Sequence, residues 1–266
     1  MRRIIGILTD YGVSDNYNAV LEAVIKKINP EVDIIYISPE VKPFNIYAGA
    51  YLLYTSYKYF KKNTIFLAIV DPGVGSKRRA IVIRTNNYYF VGPDNGILYP
   101  SAYEDGIIEV RTISNPKIFL SREISNTFHG RDIFCVAAAL LSRKVDMQIF
   151  GEKIDPSELV QLEYNYSFNN KRLCAKVIYI DHFGNIALSV KGKDIRFSLA
   201  KYNERIMRRV RTFSDGGENE LIIYENGYGF LEIGVNMGNA QKILGIKEGE
   251  EICLEVFTQE DFSHSI

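Results

Sequence analysis

The stretch Thr64-Ile65-Phe66-Leu67-Ala68-Ile69-Val70-Asp71-Pro72-Gly73-Val74-Gly75 joins an apolar run directly to an acid and a glycine-rich turn. The run 64–70 predicts a buried strand, because short apolar runs bounded by turn residues are typical of such strands. Asp71 therefore follows a strand end, and Pro72 favours an extended backbone at that position. Ligands bind at the carboxyl ends of strands in α/β proteins, so we predict a ligand site at Asp71.

The residues that follow Asp71 suit such a site. Gly73 and Gly75 lack a Cβ, which lets the backbone approach a ligand closely. Arg78 lies within reach of whatever Asp71 faces. A purely structural Asp–Arg pair in a glycine turn is the alternative that these residues leave open.

Strands and helices alternate along the first part of the chain. The predicted strands are residues 4–8, 33–37, 64–70, 80–84, 88–91 and 107–110, and the predicted helices are residues 16–28, 45–59 and 131–143. This alternation predicts an α/β domain with a layered, largely parallel sheet.

The pattern changes after the polar stretch 164–171. Short predicted strands follow at residues 174–179, 186–190, 220–224, 230–235 and 251–256, with glycine-rich turns between them. This pattern predicts a small all-β barrel or sandwich. We place the boundary at about residue 168, which gives an α/β domain, 1–168, and an all-β domain, 169–266.

Composition gives no sign of a nucleic-acid or membrane partner. The 266 residues carry a formal net charge of zero, so charge gives no argument for nucleic-acid or membrane binding. No apolar stretch of the sequence reaches the ~20 residues that span a bilayer. Cys135, Cys174 and Cys253 stand singly in apolar contexts, which predicts buried free thiols and a reducing, cytoplasmic environment.

Polar clusters follow other predicted elements of the first domain. Asp10 comes too early to cap the helix 16–28, whereas Ser14 or Asp15 is placed to do so. A carboxylate at a strand end, as at Asp10, can hold the vicinal hydroxyls of a ribose. His129 precedes the alanine-rich helix, where backbone amides favour an anion or an uncharged imidazole.

Three further turns carry polar residues. Turn chemistry alone explains Gly92-Pro93-Asp94-Asn95-Gly96. Asp181-His182-Phe183-Gly184-Asn185 suits a hairpin, but Asn185 also offers the donor and acceptor that an adenine edge requires. The segment 224–232 contains a second turn of this kind.

Five motifs in one order identify a family resemblance. They are Leu8-Thr9-Asp10-Tyr11-Gly12, Val70-Asp71-Pro72-Gly73-Val74-Gly75, Gly92-Pro93-Asp94-Asn95-Gly96, Thr127-Phe128-His129-Gly130-Arg131-Asp132 and Asp181-His182-Phe183-Gly184-Asn185. With these motifs the chain resembles the S-adenosyl-L-methionine (SAM) hydroxide adenosyltransferases, which are adenosine-forming SAM hydrolases related to fluorinases and chlorinases. The resemblance extends from Ile4 to about Val256.

The resemblance implies an enzyme that converts SAM and water to adenosine and L-methionine, without a metal or other cofactor. It implies a catalytic set of Asp71, Arg78 and His129. The implied substrate-binding positions are Asp10 at the ribose hydroxyls, Phe44 beside the ligand, Asp15, Tyr17 and Asp181 at the methionine end, Asn185 at adenine, and Asn226, Gly227 and Met237. It also implies a homotrimer with its sites at subunit interfaces.

The chain departs from its halogenating relatives, which carry Tyr and Thr at the positions of Asp71 and Val74. They also carry Tyr and Ser at the positions of His129 and Gly130. Since a carboxylate at Asp71 repels a halide, we predict that the chain does not halogenate. Relatives usually have a methionine-contacting serine within 226–229, and here Asn226 or the Gly227 backbone is the expected replacement.

Two other functions stay open at this point. One is a metal-dependent hydrolase whose ion would be ringed by Asp10, Asp15, Asp71, Asp94, His129 and Asp132, although the chain lacks a tight His-x-His or Asp-x-Asp ligand pair. The other is a protein that binds SAM or adenosine without turnover.

Overall fold

The computed structural model describes residues 2–258 and 260–263. Over these residues the chain forms two compact units that divide between Leu162 and Glu163. The sequence places the boundary slightly later, at residue 168, within the polar stretch that precedes the barrel strands.

Among the described residues, the first unit contains one seven-stranded sheet. Its strands are β1 (Ile4–Thr9), β2 (Asp33–Ser38), β3 (Ile65–Ile69), β4 (Ala80–Thr85), β5 (Tyr89–Pro93), β6 (Ile107–Thr112) and β7 (Lys153–Ile154), in the order β2-β1-β3-β5-β4-β6-β7. Strands β1, β2, β3 and β5 pair in parallel, while β4 and β7 run in the opposite direction. The predicted α/β fold with a mostly parallel sheet is confirmed.

Helices cover the sheet. They are α1 (Tyr17–Ile28), α2 (Ile46–Ser56), α3 (Tyr99–Asp105) and α4 (Cys135–Ser142). Helices α1 and α4 bury Leu21, Ile25 and Ala138 against β1 and β3, and every residue of β3 is buried, as its continuous apolar sequence predicts. The sequence pattern did not predict α3. The predicted helix 45–59 ends as a 3₁₀ turn, Tyr57–Tyr59.

The helix predicted for residues 131–143 begins differently from an ordinary α-helix. Gly130–Phe134 forms a π-helical turn, and α4 starts only at Cys135. Single π-turns of this kind occur often at functional sites, and this one directly follows His129.

The register of β1 and β3 places two predicted site loops together. Leu8 pairs with Ala68, and Thr9 pairs with Ile69. The chain therefore leaves both parallel strands at the same level, so Asp10 and Asp71 emerge side by side at the carboxyl edge of the sheet.

The described part of the second unit contains a closed seven-stranded barrel. The strands of this unit are β8 (Tyr166–Asn169), β9 (Arg172–Ile180), β10 (Ile186–Lys191), β11 (Leu199–Tyr202), β12 (Arg205–Arg209), β13 (Leu221–Glu225), β14 (Phe230–Val235) and β15 (Glu251–Phe257). Pairing of β9 with β10 closes the barrel, and β8 adds to β9 as an eighth strand. Two short helices, α5 (Ala240–Leu244) and α6 (Glu260–Ser263), complete it. The predicted all-β domain is confirmed as a barrel.

The prediction of three free thiols is wrong for two of them. Cys174 on β9 and Cys253 on β15 lie opposite each other in antiparallel register and form a disulfide. Their pairing depends on a register between strands far apart in the sequence, which single apolar contexts do not reveal. Cys135 is a buried free thiol, so the expectation of a reducing compartment now rests on that residue alone.

Over the part of the chain that the structure describes, no helix combines the length and apolar character required to cross a bilayer.

Removing the disulfide should destabilise the barrel. The bond closes a loop with a sequence separation of 79 residues, and native disulfides of this kind contribute about 2–4 kcal/mol. We expect the variant with both Cys174→Ser and Cys253→Ser to melt at a lower temperature than the wild type. Thermal melts measured with and without a reducing agent test this.

The matched control is Cys135→Ser, which leaves the disulfide intact and should keep the sensitivity of the melting temperature to reductant. Equal melting temperatures for oxidised wild type and the double variant would show that the bond does not stabilise the fold.

Candidate active site

Asp71 and Arg78 form a closely matched ion pair at the end of β3. The Arg78 Nε donates to both Asp71 carboxylate oxygens at 3.0 Å, and an Arg78 terminal nitrogen donates to Asp71 Oδ2 at 2.6 Å. The side chains of Arg78 and Asp71 are only 10% and 6% exposed. Low exposure strengthens a charge-assisted pair of this geometry, since water does not compete for its donors and acceptors.

The same guanidinium also reaches His129. The terminal nitrogen of Arg78 that contacts Asp71 lies 2.9 Å from His129 Nδ1. Because an arginine N–H can only donate, His129 Nδ1 must accept, and the ring proton of a neutral imidazole is then on Nε2. Burial and the adjacent Arg78 charge both lower the pKa of His129, while Asp71 and Asp132 oppose this shift. The geometry and the charges thus favour a neutral imidazole with Nε2–H free to donate.

A glycine holds the two site loops together. Gly75 has a φ of +77°, and a Cβ at this position would lie 2.4 Å from the backbone oxygen of Asn126. Only glycine fits this backbone and this close contact. The turn that carries Arg78 is therefore seated directly on the segment that leads to His129.

Asp10 lies beside this set, as the strand register requires. Its Oδ2 accepts from the backbone N–H of Phe44 at 2.9 Å. Burial raises the pKa of Asp10 above its usual value, and the Phe44 N–H opposes the shift, while the Asp71 charge adds to it. Phe44 adopts a φ of 66°, and its side chain is 72% exposed. The predicted ribose-binding acid and the predicted aromatic neighbour are thus joined by one hydrogen bond.

The loop between β1 and α1 presents Asp15 and Tyr17. Asn16, rather than Ser14 or Asp15, occupies the N-cap position of α1, so Asp15 does not cap the helix from that position and its side chain is exposed. The ring of Tyr17 packs against Tyr11 and Phe128, with centroid separations of 5.7 and 5.4 Å. This aromatic cluster links the loop to the segment that carries His129.

Two other acids near these motifs are held in structural contacts. Asp94 accepts from Arg79 at 2.8 Å and from the Val160 N–H at 2.9 Å. Asp132 accepts from Arg131 at 2.7 Å and from the Ser125 N–H at 2.7 Å. Both carboxylates are therefore already engaged in holding loops. In the described part of the chain, no group of three or more His, Cys, Asp or Glu side chains is arranged to hold a metal ion.

The barrel contains a separate cavity of ≈ 1030 Å³. It is lined by all five substrate-binding residues that the sequence predicts for this unit, namely Asp181, Asn185, Asn226, Gly227 and Met237. The sequence analysis thus selected residues of one surface, although their motifs lie far apart in the chain.

Hydrogen bonds fix the amides of this cavity. Asp181 accepts from the Asn185 backbone N–H at 2.8 Å and from Asn185 Nδ2 at 2.9 Å. Asn185 Oδ1 instead faces Gly234, where a Cβ would lie 2.9 Å away. Asn226 Oδ1 accepts from the backbone N–H groups of Tyr228 and Phe230, each at 3.0 Å. The Asn226 oxygen is therefore engaged in its turn, which leaves the Gly227 backbone as the better candidate for the missing serine contact.

Glu232 is a cavity residue that the motif analysis did not select. It is only 9% exposed and accepts from the Tyr224 hydroxyl at 2.5 Å and from Asn226 Nδ2 at 2.8 Å. Burial raises the pKa of Glu232, and these hydrogen bonds oppose the shift. An acid within the otherwise apolar, fully buried strand β14 is the sequence signal that marks it.

Comparisons with known proteins identify the family of the chain. The SAM hydroxide adenosyltransferase N-terminal domain matches residues 5–151, and the corresponding C-terminal domain matches residues 175–253. The chain belongs to the SAM hydroxide adenosyltransferase family, a family of enzymes.

Individual relatives include both hydrolases and halogenating enzymes. An (R)-S-adenosyl-L-methionine hydrolase from Methanocaldococcus jannaschii is 36% identical, with 94% of each chain covered. The hydrolase of the same name from Thermus thermophilus is 30% identical over 95% of this chain and 99% of its own. A fluorinase from Actinopolyspora mzabensis is 22% identical over 94% of this chain and 96% of its own.

A crystal structure of an uncharacterized conserved protein from Thermotoga maritima has the same fold. It is 36% identical, with a TM-score of 0.84 over 94% of this chain and 99% of that one.

Two neighbouring arginines provide a matched test of the site. Lysine carries its donors on a single nitrogen and cannot reproduce the fork by which two Arg78 nitrogens bond Asp71 and one of them reaches His129. We therefore expect Arg78→Lys to lower turnover at least about tenfold. Arg79→Lys should keep turnover and lower the free energy of unfolding by about 1 kcal/mol, because the Arg79 guanidinium contacts Asp94 and Glu158 and no residue of the Asp71 set.

Steady-state kinetics and urea unfolding of both variants distinguish these effects. Equal turnover for Arg78→Lys and wild type would remove Arg78 from the active site.

Proposed function

We propose that this enzyme hydrolyses SAM to adenosine and L-methionine. The observation that carries the proposal is the hydrogen-bonded Asp71–Arg78–His129 set at the carboxyl edge of the sheet, in a chain of this family. Relatives at 30–36% identity bear the name (R)-S-adenosyl-L-methionine hydrolase, which supports the same substrate here.

The proposed reaction is an in-line displacement at the ribose 5′ carbon. The water oxygen forms a bond to C5′ while the bond from C5′ to sulfur breaks, and its electron pair neutralises the sulfonium. One water proton passes to Asp71, and the other remains in the 5′-hydroxyl of adenosine. Methionine leaves as a neutral thioether, so the leaving group requires neither an acid nor a metal.

Each member of the set has a distinct role in this proposal. Asp71 accepts the proton, since water is a poor nucleophile until it is oriented and partly deprotonated. Arg78 holds the carboxylate and stabilises the negative charge that develops on oxygen. His129 Nδ1 is engaged by Arg78, so His129 orients the water through Nε2–H instead of acting as a base.

Substrate binding uses residues of both units. We assign Asp10 and Phe44 to the ribose, Asp15 and Tyr17 to the methionine end, and the five predicted residues of the barrel cavity to adenine and methionine. We further propose a homotrimer in which the α/β unit of one subunit meets the barrel of the next, and a cytoplasmic location.

Hydrolysis is favoured over halogenation by one residue. A halide would face the carboxylate of Asp71, whose side chain is only 6% exposed, so bulk solvent screens the repulsion between the like charges weakly. Proton acceptance from water is the chemistry that this carboxylate supports.

The decisive experiment incubates the protein with SAM in isotopically labelled water. We expect adenosine that carries the label in its 5′-hydroxyl, because the water oxygen becomes that hydroxyl. Asp71→Asn should lower kcat by at least about 100-fold, the usual minimum for loss of a general base. Mass spectrometry of the nucleoside measures both.

A parallel reaction with a chelator should proceed at an unchanged rate. Unlabelled adenosine, or bound SAM without methionine release, would contradict the proposal, and loss of activity in the chelator would favour the metal-dependent hydrolase.

The neutral state of His129 predicts a pH dependence. At low pH His129 becomes protonated at Nδ1 as well. Its Nδ1–H then faces an N–H of Arg78, and because both groups are donors, their hydrogen bond is lost. Since the pKa of His129 is lowered, we expect kcat/KM to fall only below the usual histidine value of about 6.5. His129→Gln keeps an N–H donor that does not titrate, so the fall of its kcat/KM with acid should begin at lower pH than in the wild type.

The measurement is the pH profile of kcat/KM for both proteins. If kcat/KM of the wild type and of His129→Gln fell over the same acidic pH range, a group other than His129 would control the wild-type profile.

A further inference from the structure

Tyr11 places its hydroxyl at the turn that carries His129. A Cβ built on Gly130 would lie 2.4 Å from the Tyr11 hydroxyl oxygen and 3.4 Å from the ring carbon that bears it. Any side chain at position 130 would therefore collide with this oxygen. The space that Gly130 leaves empty is the space in which the Tyr11 hydroxyl sits.

The ring of Tyr11 is held from the other side by aromatic contacts. Its centroid lies 5.7 Å from that of Tyr17 and 5.9 Å from that of Phe128. These neighbours fix the ring plane, so the hydroxyl has a defined position next to the residue that follows His129.

The charges of Asp10, Asp71 and Arg78 act on this hydroxyl. Burial raises the pKa of Tyr11, and the carboxylates of Asp10 and Asp71 raise it further, while Arg78 opposes them. The hydroxyl is therefore neutral throughout the working pH range. It can accept or donate a hydrogen bond at the site without changing its charge.

The hydroxyl has no partner of its own. The backbone N–H of Tyr11 donates to Thr9, but none of the hydrogen bonds among residues 2–258 and 260–263 involves the Tyr11 hydroxyl. Because Tyr11 is partly exposed, its hydroxyl oxygen is open to a hydrogen bond from a ligand or water at the site.

In the proposed reaction, one O–H group of the attacking water has no assigned acceptor. One lone pair attacks C5′, the other accepts from His129 Nε2–H, and one O–H is directed at Asp71. The second O–H needs an acceptor on the same side of the site, and the Tyr11 oxygen lies next to the His129 turn.

We infer that Tyr11 is a further catalytic residue, whose hydroxyl oxygen accepts the second O–H of the attacking water. The inference rests on the proposed function. In the displacement, the first proton passes to Asp71 while the oxygen bonds to C5′ and sulfur leaves. The second proton stays on that oxygen as the 5′-hydroxyl of adenosine, so Tyr11 holds the same O–H before and after the reaction.

The test variant is Tyr11→Phe, which removes only the oxygen and keeps the ring in its cluster. We expect kcat to fall roughly tenfold, the effect of one lost hydrogen bond, with KM within about twofold of the wild type. The control is Tyr88→Phe, which removes a buried hydroxyl that donates to the Phe60 carbonyl, away from the site. It should keep the wild-type kcat.

A binding measurement tests the same contact without turnover. Titration calorimetry should show that wild type binds adenosine more tightly than 5′-deoxyadenosine, because only adenosine has the 5′-hydroxyl that Tyr11 contacts. In Tyr11→Phe this preference should shrink by roughly tenfold, while affinity for 5′-deoxyadenosine stays the same.

Gly130→Ala provides a second variant. Its Cβ would displace the hydroxyl, so kcat should fall by a similar factor, and adding Tyr11→Phe should cause little further loss. A wild-type kcat in Tyr11→Phe, an unchanged nucleoside preference, or equal losses in affinity for both nucleosides would overturn the inference. If the wild type itself releases no adenosine from SAM, the proposed function fails instead.

Discussion

The contacts of the Arg78 guanidinium are the interaction on which the proposed active site depends. It bonds to both oxygens of Asp71 and to Nδ1 of His129, and so joins the end of β3 to the turn before α4, although His129 lies 51 residues beyond Arg78 in the chain. Removing one partner of such a buried pair typically costs about 3–5 kcal/mol, because the other charge stays buried without compensation. The same contacts leave Asp71 as a proton acceptor and leave His129 with a donor at Nε2.

The fold supplies this arrangement through parallel strand order. Strands β1 and β3 are neighbours in register, so their loops begin at one level, and the π-helical turn brings His129 to the same edge. Two acids in nearby turns have a structural role, since Asp94 and Asp132 accept hydrogen bonds from backbone N–H groups of neighbouring loops. The barrel supplies a second, separate set of polar groups whose orientation is fixed mainly by Asp181 and Glu232.

Much of this could be predicted from the sequence. Apolar runs that end in polar clusters predicted the α/β order and pointed to Asp10 and Asp71, because chemistry at a strand end is local in sequence. His129 was selected by its position before a helix, and the family resemblance joined it to Asp71 and Arg78. The disulfide between Cys174 and Cys253, the closure of the barrel through β9 and β10, and the packing of Tyr11 on Gly130 were not accessible. Each depends on the register or approach of segments that are distant in the chain, for which neither periodicity nor turn chemistry carries information.

The close contacts at the glycines bear on how this site can evolve. A side chain at position 75 would meet the backbone oxygen of Asn126, and one at position 130 would meet Tyr11. A neutral residue at position 71 would leave the Arg78 charge buried without its acid. Each of these single substitutions is therefore destabilising unless a second, contacting residue is substituted as well. Strong epistasis of this kind would separate lineages that use different nucleophiles, even while they keep the same fold.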